Sequence, residues 1–215
     1  MNSKSSESGF SLIEILIVIV ITTILATVAF MSLLSARKYA ADNQARRIID
    51  IFDEARQKAL NQRKTFRVEI NKTRNEIRLI DEGNNAAVAT DDTILERVTI
   101  SSDVVVGAAP PNISGAPTAN SPIPVPTYAT SNYPLSSGEE KITLRFRRNG
   151  QVVDAGSDNI GTGSLPSGAT IYVYSTTPSV TAPNVIRAVT LLGTTGDTSL
   201  FKCQFVSNYC TNWSK

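Results

Sequence analysis

Histidine is absent from this chain of 215 residues, and cysteine, methionine and tryptophan occur only two, two and one times. The absence of histidine removes the commonest general base and the commonest metal ligand of proteins. The chain also lacks a G-x-S-x-G nucleophile motif and a G-x-x-x-x-G-K phosphate loop. We therefore expect no catalytic residue, no metal site and no cofactor, and we interpret the chain as a non-enzymatic protein.

Charge is nearly balanced overall and is missing from one long stretch. The formal net charge of +2 does not by itself indicate a nucleic-acid or anionic-membrane partner. Between Glu14 and Arg37 lie 22 uncharged residues. At about 1.5 Å per helical residue, this run is long enough to cross a hydrocarbon core of about 30 Å. The sequence predicts a membrane-spanning helix with an unusual carboxylate, Glu14, near its start.

Positions 9–14 read GFSLIE, which resembles the processing site of the type IV pilin-like family of major pilins, minor pilins and type II secretion pseudopilins. The resemblance implies that a prepilin peptidase cuts between Gly9 and Phe10 and that Phe10 becomes the methylated amino terminus. It also implies that Glu14 meets the terminal amine of Phe10 in a neighbouring subunit. Two charges paired in a low-dielectric filament core favour the matched docking register.

An ordinary cleaved secretory signal does not fit this amino terminus, because residues 1–45 contain no A-x-A triplet and the apolar run is too long. A generic signal anchor explains the length but neither the Gly9-Phe10 junction nor Glu14. The resemblance implies a single-pass protein of the bacterial inner membrane, with its carboxyl-terminal domain in the periplasm before it joins a pilus or pseudopilus. The implied partners are other pilins or pseudopilins, the prepilin peptidase and an inner-membrane assembly platform.

The hydrophobic pattern predicts an α+β fold. Apolar residues spaced alternately four and three apart predict one helical stripe, at Ala41, Ala45, Ile48, Phe52, Ala55 and Ala59. Alternating patterns then predict strands near 65–71, 75–80, 94–100, 104–106, 142–147, 169–175, 185–192 and 198–203. We expect a cleaved leader at 1–9, a transmembrane or filament-core helix at 10–36 and an amphipathic continuation at 37–64. This long helix would pack on an antiparallel β domain at 65–215.

Residues 104–138 contain no charge and seven of the ten prolines. Such a segment cannot form a helix or a central strand, so it is interpreted as a proline-rich insertion of the β domain. Two readings stay open for it. The segment is either a contact surface for another subunit, an external ligand or a glycan, or an insertion tolerated on the surface.

The two cysteines, Cys203 and Cys210, lie near the carboxyl terminus. A chain exported past the membrane meets an oxidising compartment, which favours a disulfide between them. Two free thiols are the alternative. The spacing fits neither a C-x-x-C redox motif nor a zinc site.

Positions 144–150 read LRFRRNG, which loosely resembles the β domain of the FimT and GspH group of minor pilins and minor pseudopilins. The run supplies Arg145, Arg147 and Arg148 as a basic patch for nucleic acid, or else as an ordinary solvated strand face. The resemblance implies a minor pilin or pseudopilin, a structural, initiating or tip subunit of a type IV pilus or type II secretion pseudopilus. The alternative is a DNA-uptake or adhesive binding module displayed by the same filament.

Overall fold

The protein is represented by a computed structural model that describes residues 11–83, 91–118, 122–130, 135–154, 168–175, 185–206 and 209–215. The chain forms two compact units, Met1–Arg37 and Lys38–Lys215. The predicted leader, Gly9 and Phe10 lie outside the described residues.

A single helix, α1, extends over Leu12–Gln62. It contains no glycine or proline, so nothing in its sequence interrupts the backbone hydrogen bonds. The helix ends where Arg63 adopts a left-handed conformation with φ of 55°, a common way for the chain to leave a helix. These bounds confirm the long uninterrupted helix that the sequence predicts.

The described residues that follow α1 form eleven strands. In chain order they are β1 (Phe66–Asn71), β2 (Glu76–Asp81), β3 (Thr93–Thr99), β4 (Val104–Gly107), β5 (Ala129–Thr130), β6 (Glu140–Phe146), β7 (Val152–Asp154), β8 (Ala169–Ser175), β9 (Ile186–Leu191), β10 (Thr198–Val206) and β11 (Tyr209–Ser214). The first sheet has the order β3-β2-β1-β6-β5, with β7 also paired to β6. The second sheet has the order β11-β10-β9-β8-β4. All pairings between these strands are antiparallel.

The main core lies between the second half of α1 and both sheets. All six residues of the predicted helical stripe are fully buried, which confirms that prediction. They form one apolar cluster with residues of the first sheet and of the second sheet. The rings of Phe52 and Phe146 lie 5.8 Å apart between their centroids, in a tilted arrangement that favours aromatic pairs. An ion pair between Asp42 of α1 and Arg187 of β9 adds a polar link at the margin of this core.

The uncharged segment, 104–138, contacts the second sheet at several places through its described residues. It begins as β4, an edge strand paired with β8, and the hydroxyl of Tyr128 donates a hydrogen bond of 2.5 Å to the Val106 carbonyl. Residues 108–118, which we call the strap, then reach β11, where Ile113 forms a parallel bridge with Cys210. Farther along, the carbonyls of Ile123 and Pro124 accept hydrogen bonds from Thr170 of β8. The segment therefore supplies one edge strand of the second sheet, β4, and contacts the other, β11.

Candidate functional site

The amino-terminal part of α1 presents a carboxylate at its first turn. The amides of Glu14 and Ile15 donate hydrogen bonds to the Ser11 carbonyl, at 3.0 and 3.3 Å, and these bonds start the helix. Glu14 is exposed. A negative charge in the first turn of a helix is stabilised by the free backbone N–H groups there. Glu14 thus lies where an external cation could reach it.

Apolar side chains cover all sides of this part of the helix. The large ones between Leu12 and Val28 are exposed by 48 to 81%. The threonines within the run satisfy their hydroxyls internally. Thr22 donates to the Val18 carbonyl at 2.8 Å and Thr27 donates to the Thr23 carbonyl at 2.7 Å. A helix that is apolar on every side is stable only where other apolar groups surround it.

A membrane span was predicted for residues 10–36. Among the residues that the structure describes, no helix combines the length and the apolar character needed to cross a membrane. The transmembrane assignment stays a prediction.

A second feature of the β domain is a set of charged side chains buried on the face of the first sheet that points away from the main core. Four are cationic and four acidic, so their formal charges cancel. The side chains of these eight residues are at most 9% exposed. We call this set the charged cluster; it consists of Arg67, Glu69, Arg78, Glu82, Asp92, Glu139, Lys141 and Arg145.

Arg67 is the centre of the charged cluster. Its guanidinium donates hydrogen bonds to Glu69, Glu82 and Asp92, at 3.0, 2.7 and 2.6 Å. Burial alone would lower the pKa of Arg67, but the three carboxylates outweigh burial and raise it. Burial raises the pKa of Asp92, and its pairing with Arg67 offsets only part of that effect. The same Glu82 oxygen also accepts a hydrogen bond of 2.7 Å from Arg145, which links β1 to β6.

Glu139 closes the other end of the charged cluster. It accepts hydrogen bonds from Arg74, from Asn71 at 2.5 Å and from Arg78 at 3.2 Å. Burial alone would raise the pKa of Glu139, but the hydrogen bonds from Arg74 and Asn71 and the charge of Arg78 outweigh burial and lower it. Residues 82, 92 and 139, which come from segments outside the strands, are therefore tied to the sheet by charge.

The structure corrects the predicted basic patch of Arg145, Arg147 and Arg148. Arg145 is only 1% exposed and belongs to the charged cluster, so it cannot form part of an exposed patch. The physical reason is that Glu82 reaches over the outer face of β6 and pairs with it. Arg148 is exposed and Arg147 is half-buried. Arg148 instead lies with Arg63 and Lys64 around an open cavity of about 440 Å³ at the end of α1.

Cys203 and Cys210 form a disulfide that joins β10 to β11. Cys210 is fully buried. Cys210 belongs to a second apolar cluster, on the face of the second sheet opposite the main core, and Cys203 packs against this cluster. That cluster also includes Phe201 and Tyr172, and the Tyr172 ring lies 6.0 Å from the Trp213 ring.

Comparison with families of known proteins matches residues 4–30 to the prokaryotic N-terminal methylation motif. The chain has a type IV pilin-like amino terminus. The matched range includes Gly9, Phe10 and Glu14, the three residues on which the resemblance in the sequence rests. No curated protein and no solved structure matches the chain.

The pilin-like amino terminus and the charged cluster belong to different units, Met1–Arg37 and Lys38–Lys215. Sequence reasoning identified the pilin-like amino terminus and missed the charged cluster. In the strand predicted near 65–71, alternation places Arg67 and Glu69 on the face opposite Phe66, Val68 and Ile70, but nothing in that pattern shows whether the polar face is covered. A signal was available in the sequence, because two of the strands that form this sheet, β1 and β2, carry charges of both signs at alternate positions.

Ser136 and Lys141 also come together in the charged cluster. The Lys141 ammonium donates a hydrogen bond of 2.7 Å to the Ser136 hydroxyl and one of 2.8 Å to Glu69. Serine beside lysine can form a catalytic pair when the lysine is a neutral base. Here the lysine is ion-paired with a carboxylate, and Ser136 is only 1% exposed. These contacts suit a structural link between Ser136 and β6.

Proposed function

We propose that the protein is a minor pilin or pseudopilin, a structural subunit that initiates assembly or lies at the tip of a type IV pilus or type II secretion pseudopilus. The observation that carries the proposal is the exposed apolar helix that begins at Leu12, within the processing motif. Its exposed apolar side chains, from Leu12 to Val28, need lipid before assembly and the helices of other subunits afterwards.

In this proposal, residues 10–36 hold the protein in the bacterial inner membrane, and the β domain faces the periplasm until the subunit is withdrawn into the filament. The internal hydrogen bonds of Thr22, Thr23 and Thr27 support the apolar setting, because each of these three hydroxyls has a backbone acceptor within the helix. Cleavage by a prepilin peptidase would free the amine of Phe10 close to the exposed Glu14.

Glu14 has a specific role in this proposal. An ionised carboxylate inside a bundle of apolar helices is costly unless a cation pairs with it. The methylated amine of Phe10 in an adjoining subunit would supply that cation. Only one axial register brings the two charges together, so the pair selects the correct stacking of subunits.

We also propose that the protein catalyses no reaction. The proposal is supported by the ion-paired state of Lys141 and by the burial of Ser136, which leave this pair without a free base and without access for a substrate. Among the described residues, no group of three or more acidic or cysteine side chains is arranged to hold a metal ion.

The proposal is tested by isolating the protein from cells and measuring both its amino terminus and its incorporation. The mature chain should begin at a methylated Phe10. Glu14→Gln keeps the shape of the side chain and removes its charge, so it should leave processing intact. Breaking a buried charge pair costs about 3–5 kcal/mol, so the variant should enter the filament or pseudopilus at least about 100-fold less.

Asp50→Asn is the matched control, because Asp50 is an exposed acid on the same helix in the other unit. This variant should be incorporated normally. Normal incorporation of Glu14→Gln would refute the register role. A mature chain that begins at Met1, or after residue 36, would refute the pilin-like function as a whole.

A second candidate function is DNA binding by the displayed domain. It is supported by the three cations Arg63, Lys64 and Arg148, which line one cavity. If it is correct, the full chain in detergent micelles should shift DNA, with an affinity that falls as salt rises. Replacing the three cations by alanine should reduce the salt slope, by about one unit for each phosphate that the protein no longer neutralises. Lys202→Ala, at an exposed lysine of β10, should not change the slope. Absence of a shift at low salt would exclude this function.

A further inference from the structure

The strap is held at its middle by the backbone of one half-cystine. The Cys210 amide donates a hydrogen bond of 2.9 Å to the Asn112 carbonyl, and the Cys210 carbonyl accepts one of 2.8 Å from the Ser114 amide. These two bonds flank Ile113, which forms the parallel bridge with Cys210. Cys210 is thus the point on β11 to which the strap is attached.

Side-chain packing couples the same residues. Ile113 and Cys203 both pack against the second apolar cluster, of which Cys210 is a fully buried member. A change in the position of Cys210 would therefore disturb both the backbone bonds and the apolar contact that hold the strap.

The pairing of β10 with β11 is irregular next to Cys210. Between Gln204 and Phe205 the pairing of β10 with β11 shifts by one residue. Such a bulge interrupts the regular ladder of backbone hydrogen bonds and locally weakens the constraint that pairing imposes. The disulfide spans this bulge, because Cys203 lies before it and Cys210 pairs with Phe205 directly after it. The covalent bond supplies the constraint that the interrupted ladder lacks.

We propose that the Cys203–Cys210 disulfide is a redox latch for the strap. When the bond is closed, Cys210 is fixed against β10 and the strap is docked along the edge strand β11, with Ile113 packed against the second apolar cluster. When the bond is open, the strap detaches while the first sheet and the main core stay folded. The surface formed by residues 108–118 is then set by the thiol state of the protein.

The chemistry of the latch is thiol–disulfide exchange. Closing forms one S–S bond from two thiols, which lose two electrons and two protons to a disulfide oxidant that becomes two thiols. Opening is the reverse reaction with a dithiol reductant, which leaves as a disulfide. The latch proposal does not depend on filament assembly. The latch can be refuted while the pilin-like function stands, and the pilin-like function can be refuted while the latch stands.

The first test is amide hydrogen exchange of the full chain in detergent micelles, with and without dithiothreitol, after mass spectrometry has verified reduction. The amides of Ser114 and Cys210 should exchange at least about 10-fold faster after reduction, because each donates one of the two bonds at the latch. Amides in β1 and β6 should not change. Unchanged exchange at Ser114 and Cys210 would refute the latch, and equal acceleration in β1 and β6 would show global unfolding and refute it as well.

The second test uses reciprocity. If the disulfide stabilises the docked strap, the docked strap must stabilise the disulfide by the same factor. Ile113→Ala should therefore shift the equilibrium of the bond with reduced and oxidised glutathione several-fold towards the dithiol. Ile123→Ala is the matched control, because Ile123 is buried in the same uncharged segment, where its carbonyl is held by Thr170 instead. The latch is wrong if the two variants shift the equilibrium equally, or if neither does.

Discussion

The substitution Glu82→Gln tests the charged cluster directly. Glu82 is only 1% exposed, and one of its oxygens accepts hydrogen bonds from both Arg67 and Arg145 at 2.7 Å. The variant keeps the size of the side chain and removes one negative charge. The cluster, in which four cations and four acids now cancel, would then carry one uncompensated positive charge away from water.

Removing one partner of a buried ion pair typically costs about 3–5 kcal/mol, because the remaining charge loses compensation that water does not replace. Arg67 keeps Glu69 and Asp92 as acceptors, which places the expected cost towards the lower end, at about 3 kcal/mol. The matched control is Glu140→Gln. Glu140 pairs with Lys72 at a similar distance of 2.8 Å, but both side chains are more than half exposed. An exposed pair of this kind contributes about 0–1 kcal/mol.

The assay is urea unfolding of the full chain in detergent micelles, followed by the fluorescence of Trp213, the single tryptophan of the protein. The two variants differ in burial and hardly at all in the ion-pair distance. A loss of about 3 kcal/mol for Glu82→Gln and at most about 1 kcal/mol for Glu140→Gln would support the reasoning. Equal losses for the two variants would refute it, because burial would then have no effect on the energy of the pair.

Three further predictions concern single residues. Hydrogen bonds and nearby positive charge outweigh burial and hold the native pKa of Glu139 below its ordinary value of 4.5, so its contribution to stability should be complete above pH 4.5 and lost as the pH falls through the native pKa. In acid unfolding experiments the Glu139→Gln variant should therefore lose less stability on acidification than the parent protein. An unchanged pH profile would contradict this. Phe52→Ala should lower the free energy of unfolding by about 3–5 kcal/mol, because it empties a fully buried position at the centre of the core; a urea titration that shows a loss below about 1 kcal/mol would contradict this packing. In the same titration, Gly107→Ala should lower the free energy of unfolding more than Gly115→Ala. Both glycines have a positive φ, but only at position 107 would the new Cβ lie against the Tyr128 ring, at 2.7 Å from Cε2. Equal losses of stability would count against this contact.

Local patterns in the sequence were enough to predict α1 and the strands β1 and β2. The spacing of Ala41, Phe52 and the other stripe residues defines one helical face, and the structure buries that face completely. Alternation likewise predicts strands near 65–71 and 75–80, which the structure shows as β1 and β2, paired antiparallel with Val68 opposite Leu79. These features depend on neighbours a few residues away, and for that reason periodicity reveals them.

The charged cluster could not be predicted in this way, because its contacts join distant parts of the chain. Glu69 pairs with Lys141 across a separation of 72 residues, and Arg145 pairs with Glu82 across 63. Alternation tells which side chains share a face of a strand, whereas the burial of that face depends on segments that cover it. The prediction that Arg145 is exposed was wrong for this reason.

Strand β11 was missed because its sequence, YCTNWS, does not alternate between apolar and polar residues. Its pairing depends on the disulfide, on β10 and on the strap. The absence of charge and the many prolines of 104–138 predict no central strand there, and the two strands that the structure describes in this range, β4 and β5, lie at sheet edges. Neither the absence of charge nor the prolines gave information on where the strap would lie.

The course of the uncharged segment has a consequence for the lifetime of the unassembled subunit. An open strand edge is a template on which another chain can add its own strand, and proteins that wait at high local concentration before assembly are vulnerable to this. The Tyr128 hydroxyl donates a hydrogen bond to a carbonyl of β4, and the strap forms hydrogen bonds with both the amide and the carbonyl of Cys210 on β11. If the protein assembles as proposed, a stretch that carries no charge of its own thereby covers part of both edges of the second sheet, and the apolar helix is left as the surface through which subunits would join.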